Sequence, residues 1–159
     1  MVNCYFISQL IIKGEKMARV ERNIEITAPQ ERIFEILDDT TASTKWNLAA
    51  NEITEISEGK FSVKSTIGDF TTIRTETVKP EKLSLKIEGG IFNSMGYILS
   101  PIGDMIDVKL WGEFDDEKNE KIIVRAGEIL LKCLKNYCEF LEEGGNPDDF
   151  DKKQITVAP

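Results

Sequence analysis

One amphipathic stretch near the C-terminus limits what this chain can fold into. From Glu120 to Glu143, apolar residues recur at Ile122, Ile123, Ala126, Ile129, Leu130, Cys133, Leu134, Tyr137, Phe140 and Leu141. At about 100° per residue they make one broad stripe, with Glu128, Lys132, Lys135, Asn136 and Glu139 opposite. Gly144, Gly145 and Pro147 end the pattern. A helix of this length spans roughly 34 Å. Its stripe needs an equally long apolar surface to lie on.

The upstream sequence supplies one. Arg19 to Thr27 alternates, with Val20, Ile24 and Ile26 on one face and Arg22 interrupting it. Thr27-Ala28-Pro29-Gln30 reads as a helix start, with Thr27 as the cap. Ile33, Phe34, Ile36 and Leu37 follow at helical spacing, and Asp38 to Ser43 reads as a break or a poor second helix before Trp46. From Asn51 the period becomes two, giving six strands in hairpin succession. Turns are expected at Glu58-Gly59, at Gly68-Asp69 as a two-residue hairpin, and at Lys79-Pro80-Glu81. Further turns fall at Gly89-Gly90 and at Pro101-Ile102-Gly103-Asp104. The order is β-α-α-β6-α. It predicts an α+β domain in which a twisted antiparallel sheet curls around the last helix.

Residues 17–145 form this single domain, and the polar, acidic residues 146–159 are expected to be a mobile tail. Residues 1–16 break the pattern abruptly. Gly14-Glu15-Lys16 before Met17 is what a ribosome-binding sequence read in frame would encode, so an extension preceding a natural start at Met17 is one expectation. A genuine N-terminal strand or arm is the other. The apolar run Tyr5 to Ile12 is too short to span a bilayer, and no stable membrane insertion is expected.

Composition narrows the chemistry. The net charge is −8 and no basic block occurs, which argues against a nucleic-acid partner. There is no histidine, which removes His-based nucleophile systems, general bases and metal ligands. Neither metal nor cofactor is expected. Cys133 and Cys138 point about 140° apart on one helix and cannot bridge within it. With Cys4 they are three unpatterned thiols, as suits a reducing cytoplasm. Asp148, Asp149 and Asp151 lack calcium-loop spacing, and Gly89-Gly90 lacks a phosphate-loop context.

Several polar residues could carry chemistry. Arg74 and Glu76 share a strand face by parity. Inward they would anchor a ligand or act as acid and base; outward they form a solvated pair, which the opposite parity of Ile73 favours. Trp111 opposes Val108 and Leu110 and is expected outside, where an exposed aromatic marks a partner surface. Tyr97 and Tyr137 would orient a polar ligand group or pack in the core. Trp46 would line a cavity mouth or plug the core. Ser65, Thr66, Thr72 and Ser84 among the sheet positions, with Ala126 and Cys133 on the helix, leave room for a cavity.

The run Val20-Glu21-Arg22-Asn23-Ile24-Glu25-Ile26-Thr27-Ala28-Pro29, continuing through Glu31-Arg32-Ile33-Phe34-Glu35-Ile36-Leu37-Asp38 to Trp46, resembles a family opening. It is that of the START/Bet v 1-like (SRPBCC) superfamily, and most resembles its polyketide cyclase/dehydrase-like proteins. Lys79-Pro80-Glu81-Lys82-Leu83 and Ser100-Pro101-Ile102-Gly103-Asp104 are similar to its later turns. The resemblance covers Ala18 to Gly144 and implies a helix-grip fold, a seven-stranded sheet around the C-terminal helix over an apolar cavity. Members bind lipids, sterols, quinones, polyketides or plant hormones, and a minority are enzymes. The expected ligand-binding set is Trp46, Val63, Ile67, Arg74, Leu85, Tyr97, Val108, Leu110, Ala126, Leu130, Cys133 and Tyr137. The first expectation is thus a cytoplasmic carrier or sensor of a small apolar molecule. The alternative is a cyclase or dehydratase using Glu76 or Tyr97. A third is a maturation or chaperone-type interaction protein, which leaves a protein partner open.

Overall fold

The computed structural model describes residues 17–154. Cys4, the apolar run Tyr5 to Ile12 and the rest of residues 1–16 lie outside the described residues, as do residues 155–159. Strand β1 (Ala18–Ile26) is followed by helix α1 (Gln30–Asp38), a 3-10 helix (Thr41–Lys45) and strands β2 (Ala50–Ser57) and β3 (Lys60–Ser65). Strands β4 (Phe70–Val78), β5 (Lys82–Glu88), β6 (Ser94–Ile102) and β7 (Met105–Phe114) complete one antiparallel sheet in the order β1-β7-β6-β5-β4-β3-β2. Helix α2 (Glu120–Glu142) lies over the β1–β7 end of the sheet, gripped by its concave face. The architecture is the expected helix-grip fold, except that the second short helix is a 3-10 turn.

Alternation in the sequence becomes two sheet faces. In β7, Ile106, Val108, Leu110 and Phe114 are buried on the concave side, and Asp107, Lys109 and Trp111 face outward. In β5, Leu83 and Ile87 are buried on that side and Leu85 is half-buried. Trp111 is not the free aromatic expected of it. Gly96, its direct partner on β6, leaves a space that the indole fills, and the Arg19 guanidinium lies 4.5 Å from the ring centroid. The hairpin after β3 is also longer than the two residues expected. Residues 66–69 form it, with the Ser65 hydroxyl donating to the Gly68 carbonyl and Gly68 at φ 114°.

Two details of the helices differ from the expectation. Thr27 does not cap α1; its backbone N–H donates to the Glu139 carboxylate on α2 at 3.0 Å, and Pro29 holds the cap position. On α2 the buried arc is rotated and wider than the stripe. Leu131 and Cys138 are buried, whereas Ile122 is 52% exposed. The helix is covered on a second side by α1 and the C-terminal segment.

The segment after residue 145 packs back on the domain. Asn146 caps a 3-10 turn (Pro147–Asp149), and the Phe150 ring packs 4.9 Å from Tyr137 and 5.2 Å from Phe140. The Lys152 ammonium donates to the carbonyls of Thr44, Asn47 and Ala50 at 2.6, 3.1 and 2.8 Å.

Candidate functional site

The apolar interior falls into two clusters. One gathers Ile26, Phe34, Leu99, Val108 and Leu134 around α1 and the C-terminal half of α2. The other gathers Ile87, Phe92, Phe114 and Ile123 near the N-terminus of α2. Between them lies a cavity of about 380 Å³, bordered by Leu37, Leu83 and Leu110 of the first and Phe92 and Ile123 of the second. Its size is at the low end of the roughly 300–1,000 Å³ of small-molecule sites.

The space exists because several inward side chains are short. Thr72 takes an inward position on β4 where a leucine would reach across. Ala126 and Gly127 sit side by side on α2. Ser65 and Thr66 border it from the β3–β4 hairpin, and Ala49 and Ala50 from the start of β2. Ser84, counted with these small residues in the sequence, faces outward, paired with Gly96.

Of the expected binding residues, Trp46, Val63, Ile67, Arg74, Leu85, Tyr97, Leu110, Ala126 and Leu130 border this cavity. Val108, Cys133 and Tyr137 do not. Val108 is fully buried under the helix, Cys133 is buried beside the backbone of Leu48, and Tyr137 meets the Phe150 ring edge to face. Trp46 is 3% exposed, so it both closes the core and lines the cavity.

Arg74 and Glu76 do not share a face. Arg74 opposes Leu85 and Glu76 opposes Ser84, so Thr75 is the extra residue of a bulge that reverses the parity. Arg74 points inward with Thr72, while Ile73 and Glu76 point outward. This corrects the outward reading of Arg74 and removes Glu76 as an acid or base for the cavity. Glu76 is 46% exposed and pairs with Lys82 on the outer face.

The Arg74 guanidinium is anchored where the sheet meets α1. Its Nη1 donates to Asp38 Oδ1 at 2.6 Å and to Thr77 Oγ1 at 3.2 Å. Its Nη2 donates to the Asp38 carbonyl and to Thr40 Oγ1, both at 3.3 Å. The Lys79 ammonium lies 3.7 Å from the other Asp38 oxygen. Arg22, which breaks the apolar face of β1, sits at the cavity edge and pairs with Glu128 of α2 at 3.3 Å.

Burial pushes the Tyr97 hydroxyl well above the ordinary tyrosine value, so it keeps its proton at neutral pH. Burial likewise raises the thiols of Cys133 and Cys138, the latter up to about 12, which leaves both unreactive. Among the described residues no cluster of three His, Cys, Asp or Glu could hold a metal ion. No helix among them is long and apolar enough to cross a membrane.

Sequence reasoning missed Thr40, Ser43, Phe70, Phe92, Met95 and Gly127 at the cavity. Gly127 alone left a signal: an isolated glycine inside a strong helical pattern costs about 1 kcal/mol against alanine, which calls for a local reason.

No family model matches the chain, and no curated protein matches it. Solved structures do. A START superfamily protein from Mycobacterium smegmatis aligns with a TM-score of 0.70 at 17% identity, over 77% of this chain and 98% of that one. The Zhui aromatase/cyclase from Streptomyces sp. R1128 aligns with a TM-score of 0.67 at 14% identity, over 82% and 100%. Ara h 8.0201 aligns with a TM-score of 0.63 at 14% identity, over 78% and 99%. The strand order, the gripped helix and these alignments together assign the chain a START/Bet v 1-like fold.

Proposed function

We propose that this protein binds a small apolar molecule in the cavity between sheet and C-terminal helix, as a carrier or sensor. The observation that carries the reading is the cavity itself, about 380 Å³ of space dividing an otherwise packed core. An apolar occupant of this largely apolar space would gain by burial at about 25 cal/mol per Å².

The cyclase or dehydratase reading has less support. Glu76 lies on the outer face, and Tyr97 holds its proton too tightly for a base. The interaction-protein reading loses its marker, because Trp111 is packed on Gly96 and under Arg19.

Native mass spectrometry of freshly expressed protein, repeated after denaturation and extraction, tests the carrier reading. A stoichiometric adduct that leaves on denaturation is the expected result. A clean mass, with no uptake of apolar molecules added in excess, would overturn it.

A further inference from the structure

The wall of the cavity is not held with equal strength all round. Trp46, Asn47, Leu48 and Ala49 line it from a connector that is neither strand nor helix. The connector's own backbone bonds are those of turns. The Asn47 N–H donates to the Ser43 carbonyl at 2.8 Å, and the Ala50 N–H to the Asn47 carbonyl at 3.2 Å. One further bond ties it to the β3–β4 hairpin, from the Thr66 N–H to the Ala49 carbonyl at 3.0 Å. A segment with so few ladder bonds opens at lower free energy than the strands beside it.

What fastens this connector comes from the far end of the chain. The Lys152 ammonium meets the carbonyls of Thr44, Asn47 and Ala50, which bracket the lining residues. Asp148 adds an exposed pair to Lys45 at 3.3 Å. The same segment is pinned on α2 by the Phe150 ring, against Tyr137 and Phe140. Gly144, at φ 90°, turns the chain out of α2 towards it. The segment therefore runs as a strap from α2 to the connector. Asp148, Phe150 and Lys152 do not themselves border the cavity.

A second seam lies between β1 and α2, where Arg22 pairs with Glu128 at 3.3 Å. There β1 is laddered to β7 from Ala18 to Ile26. Lys135 and Glu139 of α2 also hold the Glu25 carbonyl and the Thr27 N–H. Parting that seam means moving a strand or a helix. Parting the connector means unseating one ammonium and a few turns.

We infer that residues 146–154 are a strap that gates the cavity. Lys152 seated on the connector keeps the wall shut, and its release lets an occupant pass beside Trp46 and Leu48. This rests on the ligand-binding reading above and adds to it a route and a rate. The test follows the neutral dye N-phenyl-naphthylamine, whose fluorescence rises in apolar surroundings, by stopped flow with the full chain at neutral pH. Lys152→Met should speed both association and dissociation about five- to thirtyfold, equivalent to about 1–2 kcal/mol at roughly 1.4 kcal/mol per tenfold, with Kd within about threefold of the parent. Phe150→Ala detaches the strap from α2 without touching the connector, and should quicken both rates in the same sense. Glu128→Gln, at the other seam, should leave both within about twofold of the parent. Parental rates in both strap variants overturn the strap, while dye binding keeps the cavity. A weaker Kd with an unchanged association rate does so too, because the segment then shapes the site without gating it. Faster exchange in Glu128→Gln alone places the door between β1 and α2 and likewise overturns the strap. If the parent takes up no dye after long incubation, the cavity reading fails and the strap with it.

Discussion

Lys152 holds the wall that carries Trp46, and its removal should be felt in a defined place. The three carbonyls it meets belong to Thr44, Asn47 and Ala50. The intervening Trp46, Leu48 and Ala49 border the cavity. Replacing Lys152 by Met keeps much of the apolar stem and deletes all three bonds. A hydrogen bond to a charged group contributes about 1.5–3 kcal/mol, but three made by one ammonium share one charge and do not add. Burial also lowers the pKa of Lys152 below the ordinary lysine value, against a raising influence of Cys133, so lost hydration offsets part of the gain. The expected net loss is about 1–2 kcal/mol. For a chain of this size each kcal/mol moves the midpoint by about 2–4 °C, which predicts a fall of roughly 2–8 °C by calorimetry at neutral pH. Hydrogen exchange should quicken at the amides of Asn47 and Ala50, whose partners are the Ser43 and Asn47 carbonyls. An unchanged midpoint with unchanged exchange at those amides refutes the clasp.

Other substitutions probe other parts. A Cβ at Gly96 would lie 2.6 Å from Trp111 ring atoms, so Gly96→Val should cost about 1–3 kcal/mol in urea unfolding; an unchanged midpoint would show that the indole moves freely. A Cβ at Gly127 would meet Leu110 Cδ2 at 3.5 Å, an ordinary contact. Gly127→Ala should therefore raise stability by about 0.5–1 kcal/mol through helix propensity, and a loss would mean that the cavity wall is tighter than this contact. Burial pushes the Glu139 carboxyl up, but Lys135 at 2.8 Å and the Thr27 N–H outweigh it and hold the pKa below the ordinary carboxylate value. Its stabilisation is present above the unfolded value of about 4.3 and is lost as pH falls through the lower folded value. Glu139→Gln should thus lower the thermal midpoint at neutral pH, with the gap to the parent closing below about pH 4; a gap that persists in acid would sink this account.

Much of the fold can be read from the sequence for a physical reason. A sheet with one face on a helix and one in water must alternate, and the strands around Leu83, Leu85 and Ile87 or Val108 and Leu110 do so cleanly. The long helix is legible because its pattern runs for six turns and ends at Gly144, at φ 90°. Its buried arc is less legible, because a period assigns residues to a stripe without saying how many neighbours cover it. Leu131 and Cys138 are buried by contacts on a second side, and Phe150 comes from a stretch whose acidic composition suggests only a tail.

The site was less legible than the fold, and β4 shows why. Parity reasoning treats the apolar residue of a threonine-rich strand as the inward one, which sends Ile73 in and Arg74 out. The strand does the reverse, because its inward positions face a cavity and not a packed neighbour, so polarity there is tolerated if it can be paired. The bulge at Thr75 then separates two residues that strict alternation would keep together. Had Glu76 stayed beside Arg74, the cavity would hold a carboxylate and a guanidinium facing one another, the makings of an acid-base site. With the bulge, Glu76 lies on the outer face and the guanidinium takes its counter-ion from Asp38 at the end of α1. One extra residue in one strand thus decides which charged side chains of β4 reach the cavity and which stay on the outer face.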